Sequence, residues 1–189
     1  ASGVERKSVY FLSGHGEKNP SDIDLESIDG FGVAVEGLRG DNYEPQPLNL
    51  AQDVAIPDDA TVIVVANPKG ELTEEEGKQL HVYLKKGGRM VLLLESALPR
   101  SWNDFLNRWG IEVGPETLVD TTRSLAADSR TIIPQFLPGI EIPIAQQLGP
   151  IYFPGAAPLG VTLEELPDTI RIVPLALTSP GASWGTTND

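Results

Sequence analysis

Gly14-His15-Gly16-Glu17 sets an imidazole and a carboxylate two positions apart, each following a glycine, directly after the apolar run Ser8-Val9-Tyr10-Phe11-Leu12. With Ser13 beside them, these groups could pass a proton or contribute to a divalent-metal site. Either chemistry needs more than this loop supplies. The only other histidine, His81, has no metal-ligand spacing to His15, and the chain contains no cysteine. No thiolate site or cysteine nucleophile can therefore be built. A hydrolase or amidotransferase-like enzyme using His15 and Glu17 is the enzymatic alternative. However, no G-x-S-x-G elbow occurs, and Ser13, His15 and Glu17 lie too close together in one extended loop to converge on a reacting atom. Phosphate is disfavoured too, because neither G-x-G-x-x-G nor G-x-x-x-x-G-K-[ST] is present and Glu17 would repel it. The remaining readings are a polar ligand-contacting loop formed by Ser13, Gly14, His15, Gly16 and Glu17, and a structural turn whose glycines permit positive φ.

The elements around this loop decide between those readings. Residues 8–12 read as a buried first strand, so the loop falls at a strand's carboxyl end, where open α/β sheets place ligands. Thr61-Val62-Ile63-Val64-Val65-Ala66 reads as a central strand and ends in Asn67-Pro68-Lys69, while Arg89 to Leu94 reads as another buried strand ending in Glu95-Ser96. If these strands are parallel neighbours, Asn67, Lys69 and Glu95 join the first loop around one crevice, and Lys69 faces Glu17 or Glu95. Between the last two strands, Thr73 and Glu76 form a capping box, Leu80, Tyr83 and Leu84 make an apolar stripe, and Gly87-Gly88 stop the helix.

Other segments are less regular. Ile23 to Leu38 has roughly helical spacing weakened by Gly30, Gly32 and Gly37, while Pro45 and Pro47 confine the following segment to an edge strand. Ser101 caps a helix whose Trp102, Phe105, Leu106 and Trp109 form one aromatic face, read as core or, alternatively, as a docking face for a partner. Residues 130–160 carry recurrent prolines and read as an irregular covering or small β arm, with Ile142 to Leu148 as one or two helical turns. Glu164, Glu165 and Asp168 read as a solvated turn, and Thr169 to Leu177 as a late strand. The expected architecture is a single α/β domain over residues 1–189, with an open, mostly parallel sheet, helices on both faces, and an irregular proline-rich C-terminal part.

Composition narrows the partners. A formal charge of −13 opposes binding to nucleic acid or to an anionic membrane surface. No run reaches the ~20 apolar residues of a membrane span, and the first residues lack signal-peptide character. If the protein is membrane-anchored, the anchor therefore lies outside these residues, and the polar ends fit either a segment excised from a longer chain or ordinary polar termini.

Taken in order, Phe11-Leu12-Ser13-Gly14-His15-Gly16-Glu17, Ile56-Pro57-Asp58-Asp59-Ala60, Asn67-Pro68-Lys69, Tyr83-Leu84-Lys85-Lys86-Gly87-Gly88-Arg89, Trp109-Gly110-Ile111, Val119-Asp120 and Leu177-Thr178-Ser179-Pro180-Gly181-Ala182-Ser183-Trp184 carry a further signal. The set resembles the GldG-like auxiliary component of ABC-type transport systems associated with gliding motility. That resemblance implies a class I glutamine amidotransferase-like, flavodoxin-like fold without its catalytic cysteine. It also implies an extracytoplasmic domain of a membrane-anchored protein, working beside an ABC permease and ATPase. The implied role is noncatalytic, with no cofactor or metal, and the crevice is expected to take a saccharide, another polar ligand or a protein partner. Asn67 and Glu95-Ser96 depart from the family pattern, which has a small residue and Asp-Pro at those places.

Overall fold

The computed structural model describes residues 6–25, 27, 30–53, 55–137, 151–162 and 168–187. The chain groups into two compact units, residues 1–94 with 99–102, and residues 95–98 with 103–189.

The first unit is built on β1 (Lys7–Leu12), α1 (Gly32–Gly40), β2 (Tyr43–Leu48), β3 (Ala60–Ala66), α2 (Glu74–Lys85) and β4 (Met90–Leu93). Its sheet has the order β2-β1-β3-β4, with every neighbouring pair parallel. Strands β1 and β3 are central, and their apolar runs are consistent with that place. Helices α1 and α2 are the connections from β1 to β2 and from β3 to β4, which step in opposite directions along the sheet, so the right-handed rule for such units assigns them to opposite faces. On one face Val35 of α1 packs with Val9, Phe11 and Val64, flanked by Phe31 and Leu38.

Four expectations change in this unit and around it. The helix expected from Ile23 begins only at Gly32, leaving Ile23 and Leu25 exposed. The reason is a close backbone approach: Gly32 N donates to Asp22 O at 2.7 Å. A Cβ on Gly32 would sit 2.5 Å from that oxygen, so the chain folds back there instead of winding. Strand β4 is an edge rather than a fully covered strand, with Val91 45% and Leu93 42% exposed. An apolar run of this length marks a strand without saying how many of its sides are covered. β2, the other edge, carries Pro45 and Pro47, as expected. The third helix, α3 (Arg100–Asn107), starts before Ser101, whose hydroxyl serves another loop. Trp102, Phe105 and Leu106 are buried, while Trp109 lies beyond the helix.

The second unit consists of short antiparallel pairings. In chain order its strands are β5 (Ile111–Val113), β6 (Thr117–Asp120), β7 (Ser124–Leu125), β8 (Asp128–Ile132), β9 (Gln135–Phe136), β10 (Phe153–Pro154), β11 (Leu159–Val161), β12 (Ala176–Leu177) and β13 (Ser183–Thr186). They form a three-stranded sheet, β10-β8-β7, and the pairs β11-β5, β12-β9 and β13-β6. The late strand expected over 169–177 is reduced to Ala176–Leu177, because pairing with Phe136 and Gln135 covers only that length. The helical turns expected at 142–148 and the carboxylates Glu164 and Glu165 lie outside the described residues. No helix among the described residues is long and apolar enough to cross a membrane.

Asp120 organises one end of this unit. Its side chain is fully buried. Oδ1 accepts from Thr122 N at 2.9 Å and Arg123 N at 2.8 Å, while Oδ2 accepts from Ser179 N at 2.7 Å. Burial pushes the carboxyl pKa up, but those backbone donors outweigh it and hold it at about 2. The carboxylate thereby pins the 178–181 turn beside the β13-β6 pair, and Gly181 supplies that turn's positive φ of 73°.

Candidate functional site

The loops after β1 and β3 lie side by side at the carboxyl edge of the sheet. His15 O accepts from Lys69 N at 2.7 Å and from Gly70 N at 2.6 Å. Lys18 N donates to Ala66 O at 2.8 Å, which closes the first loop onto the end of β3. Glycine is needed at this approach. Gly16 has φ 74° and a Cβ there would lie 3.2 Å from Lys69 Cβ, while a Cβ on Gly70 would lie 3.2 Å from His15 Cα. Asn67 also takes a positive φ of 53°, and its N–H donates to Leu93 O at 2.8 Å.

His15 is 8% exposed and points into the protein rather than across a crevice. Its Nδ1 lies 3.0 Å from Glu17 Oε1, and its Nε2 lies 3.2 Å from Glu76 Oε2 on α2. Glu17 Oε2 also accepts from His15 N at 2.8 Å, so both oxygens of that carboxylate are engaged by one residue. Trp102 meets the imidazole edge-on with ring centroids 6.0 Å apart, and its Nε1 donates to Gly70 O at 3.1 Å. Nearby, Ser101 Oγ accepts from Leu72 N at 2.7 Å. The second loop is thus tied from both sides.

Glu76 has two roles. It closes the capping box, with Oε2 accepting from Thr73 N at 2.9 Å and from Thr73 Oγ1 at 2.6 Å while Thr73 Oγ1 accepts from Glu76 N. The same oxygen faces His15. Burial raises the Glu76 pKa, yet the Thr73 donors and then His15 prevail and lower it overall. Two carboxylates approach His15 through opposite ring nitrogens, so the three groups do not converge on a common point. Among the described residues, no group of three or more His, Cys, Asp and Glu could hold a metal ion.

The structure therefore brings Ser13, Gly14, His15, Gly16, Glu17, Asn67 and Lys69 together but turns several of them inward. Ser13 Oγ donates to Leu48 O at 3.1 Å, and Asn67 is buried. Lys69 is exposed. Glu95 belongs to the second unit, where it forms an antiparallel bridge with Ala156. What remains open at this edge is a shallow pocket of about 200 Å³ lined by Ser13, Gly14 and residues 16–20. Sequence reasoning missed Glu76 and Trp102 as partners of His15. Glu76 was visible as a cap, but cap glutamates usually face water, and nothing local signals that this one sits under a loop.

These features define an α/β protein whose first unit carries a four-stranded parallel sheet and a locked His-Glu-Glu cluster at its carboxyl edge. The fold is similar to the solved structure "mmIFT52 N-terminal domain", with a TM-score of 0.58, 18% identity, and coverage of 82% of this chain and 68% of that one. At that identity the likeness is one of fold. A search of curated proteins found no match. The family described as an ABC-type uncharacterized transport system matches residues 6–188, and the chain belongs to that family. It is thus a component of the auxiliary kind in such a transport system.

Proposed function

We propose that the protein is a noncatalytic interaction domain of an ABC-type transport system. In this reading it is held on the extracytoplasmic side by segments outside these residues and contacts the permease and ATPase assembly. The match of the transport-system family over residues 6–188 carries the reading. The state of His15 supports the noncatalytic part: both ring nitrogens are engaged by carboxylates, so neither is free to activate a nucleophile or a water. The first unit is read as an amidotransferase-like variant of the doubly wound fold that has no cysteine at all. Its open surface at the carboxyl edge is the shallow pocket of residues 13–20 with exposed Lys69 alongside. A partner protein suits that surface better than a small saccharide, because about 200 Å³ lies below the ~300–1,000 Å³ usual for small-molecule sites. The gliding-motility association belongs to the same proposal.

The test is site-specific photocrosslinking from position 69 in the membrane-assembled system. The expected product is an adduct with the permease or a partner subunit formed from the extracytoplasmic side. Adducts formed only from the cytoplasmic side, or a full protein that does not co-purify with any transport subunit, would overturn the proposal.

A further inference from the structure

The cluster around His15 holds more acceptors than a neutral imidazole can serve. Each ring nitrogen faces a carboxylate oxygen, Nδ1 at 3.0 Å from Glu17 Oε1 and Nε2 at 3.2 Å from Glu76 Oε2. An ionised carboxylate only accepts, and a neutral imidazole has one N–H and one lone pair. One of the two contacts would then set a lone pair against a carboxylate. Water screens little of this, since the side chains of His15, Glu17 and Glu76 are 8%, 2% and 5% exposed. The geometry therefore calls for one proton beyond the neutral ring. Imidazole ordinarily holds a proton up to about 6.5, glutamate only to about 4.3. Both carboxylates are also placed as acceptors: Glu76 Oε2 takes Thr73 N and Thr73 Oγ1, and Glu17 Oε2 takes His15 N.

The ring is met by Glu17 from its own loop, by Glu76 from α2 and by the uncharged indole of Trp102 from α3. Lys69, an exposed residue, approaches through its main chain. Glu74 and Glu75 of α2 pair with Lys78, and Glu71 accepts from Ser101.

We propose that His15 is the imidazolium of a pH-operated latch that holds the 13–20 loop against α2 and opens as the pH rises. When the second ring proton leaves to solvent, Nδ1–H stays on Glu17, the nearer partner and a member of the same loop. Nε2 is left as a lone pair facing Glu76 Oε2, and the tie between loop and helix is lost. The 67–70 loop follows, because Lys69 N and Gly70 N donate to His15 O. So does the rim of the shallow pocket, which these residues form. The proton is bound more tightly in the closed state, so the latch is present at low pH and lost as the pH rises. The inference stands on the cluster alone and is independent of the transport reading.

The test reads ring-nitrogen NMR shifts and amide hydrogen exchange of the chain from about pH 6 to about pH 9, with His81→Gln assigning the two histidines. Both nitrogens of His15 are expected to carry protons at about pH 7.5, where an ordinary histidine is mostly neutral. As the ring titrates, protection of the Lys18, Lys69 and Gly70 amides, corrected for the intrinsic pH dependence of exchange, should fall at least about tenfold while that of Ile63 and Val65 in β3 holds. Glu76→Gln should abolish the step, because its amide offers Nε2 either a donor or an acceptor. A neutral ring at about pH 7.5, a protonated carboxyl at Glu17 or Glu76 in its place, loop protection unchanged through the titration, or an equal step in a folded Glu76→Gln variant would each overturn the proposal.

Discussion

The two edges of the parallel sheet use the same residue types to opposite ends. At the carboxyl edge, His15, Glu17 and Glu76 satisfy one another under Trp102, and little open volume remains. At the amino edge, Lys86 and Arg89 lack protein partners among the described residues and border an open groove of about 520 Å³. Residues that look chemically active in sequence can thus be consumed by the fold. A pair of cations at a helix end can instead be left to solvent. The difference is energetic: a buried carboxylate must be paired, whereas an exposed cation is solvated at little cost.

The sharpest way to break this contrast is at Glu76. Glu76→Ala removes the capping box and one of the two partners of buried His15, and is expected to destabilise the first unit by about 3–5 kcal/mol in denaturant unfolding. A loss below about 1 kcal/mol would mean that the cluster is not structural. Asp120→Ala gives a comparison from the second unit. With a carboxyl held near 2 against an ordinary 3.8, its backbone bonds are expected to contribute about 2 kcal/mol near neutral pH.

Acid separates the same groups. Because the folded-state pKa of Glu76 is lowered, its contribution is present above the ordinary value of 4.5 and is lost as pH falls through the folded value. Asp120 follows the same sign between 3.8 and about 2. Stability measured from pH 6 to pH 2 should therefore fall less steeply in Glu76→Gln than in the parent, and an unchanged slope would remove Glu76 from the acid response. Gly16→Ala is expected to cost about 1–2 kcal/mol, through its positive φ and the crowding against Lys69. Smallest of all, Lys86→Glu and Arg89→Glu should each shift stability by no more than about 0.5 kcal/mol, since the fold does not use those charges. A larger loss would turn the amino edge into another structural cluster.

Much of the first unit was legible because its signals are local. The β-branched run of β3 marks a covered strand. Pro45 and Pro47 mark an edge, and Thr73 with Glu76 and Gly87 brackets α2. The adjacency of the loops at 13–17 and 67–69 followed from strand order in a parallel sheet. The late strand and the first helix were overestimated because apolar spacing does not report strand partners or a backbone approach such as that of Gly32 to Asp22. Strand β4 shows the same limit, since Met90-Val91-Leu92-Leu93 reads alike in the centre of a sheet and at its edge.

The sequence by itself determined that the chain is α/β and lacks thiol chemistry, where its parallel strands run, and that its family pattern extends across almost the whole of it. Tertiary structure decided what the polar residues do. His15 is held in a buried cluster because Glu76 reaches it from 61 positions away. Asp120 became a hub because Ser179, 59 positions on, returns its N–H to the carboxylate. Those partners are set by how the chain is brought back on itself, and hydrogen bonding over such separations leaves no mark in the spacing of either residue's neighbours.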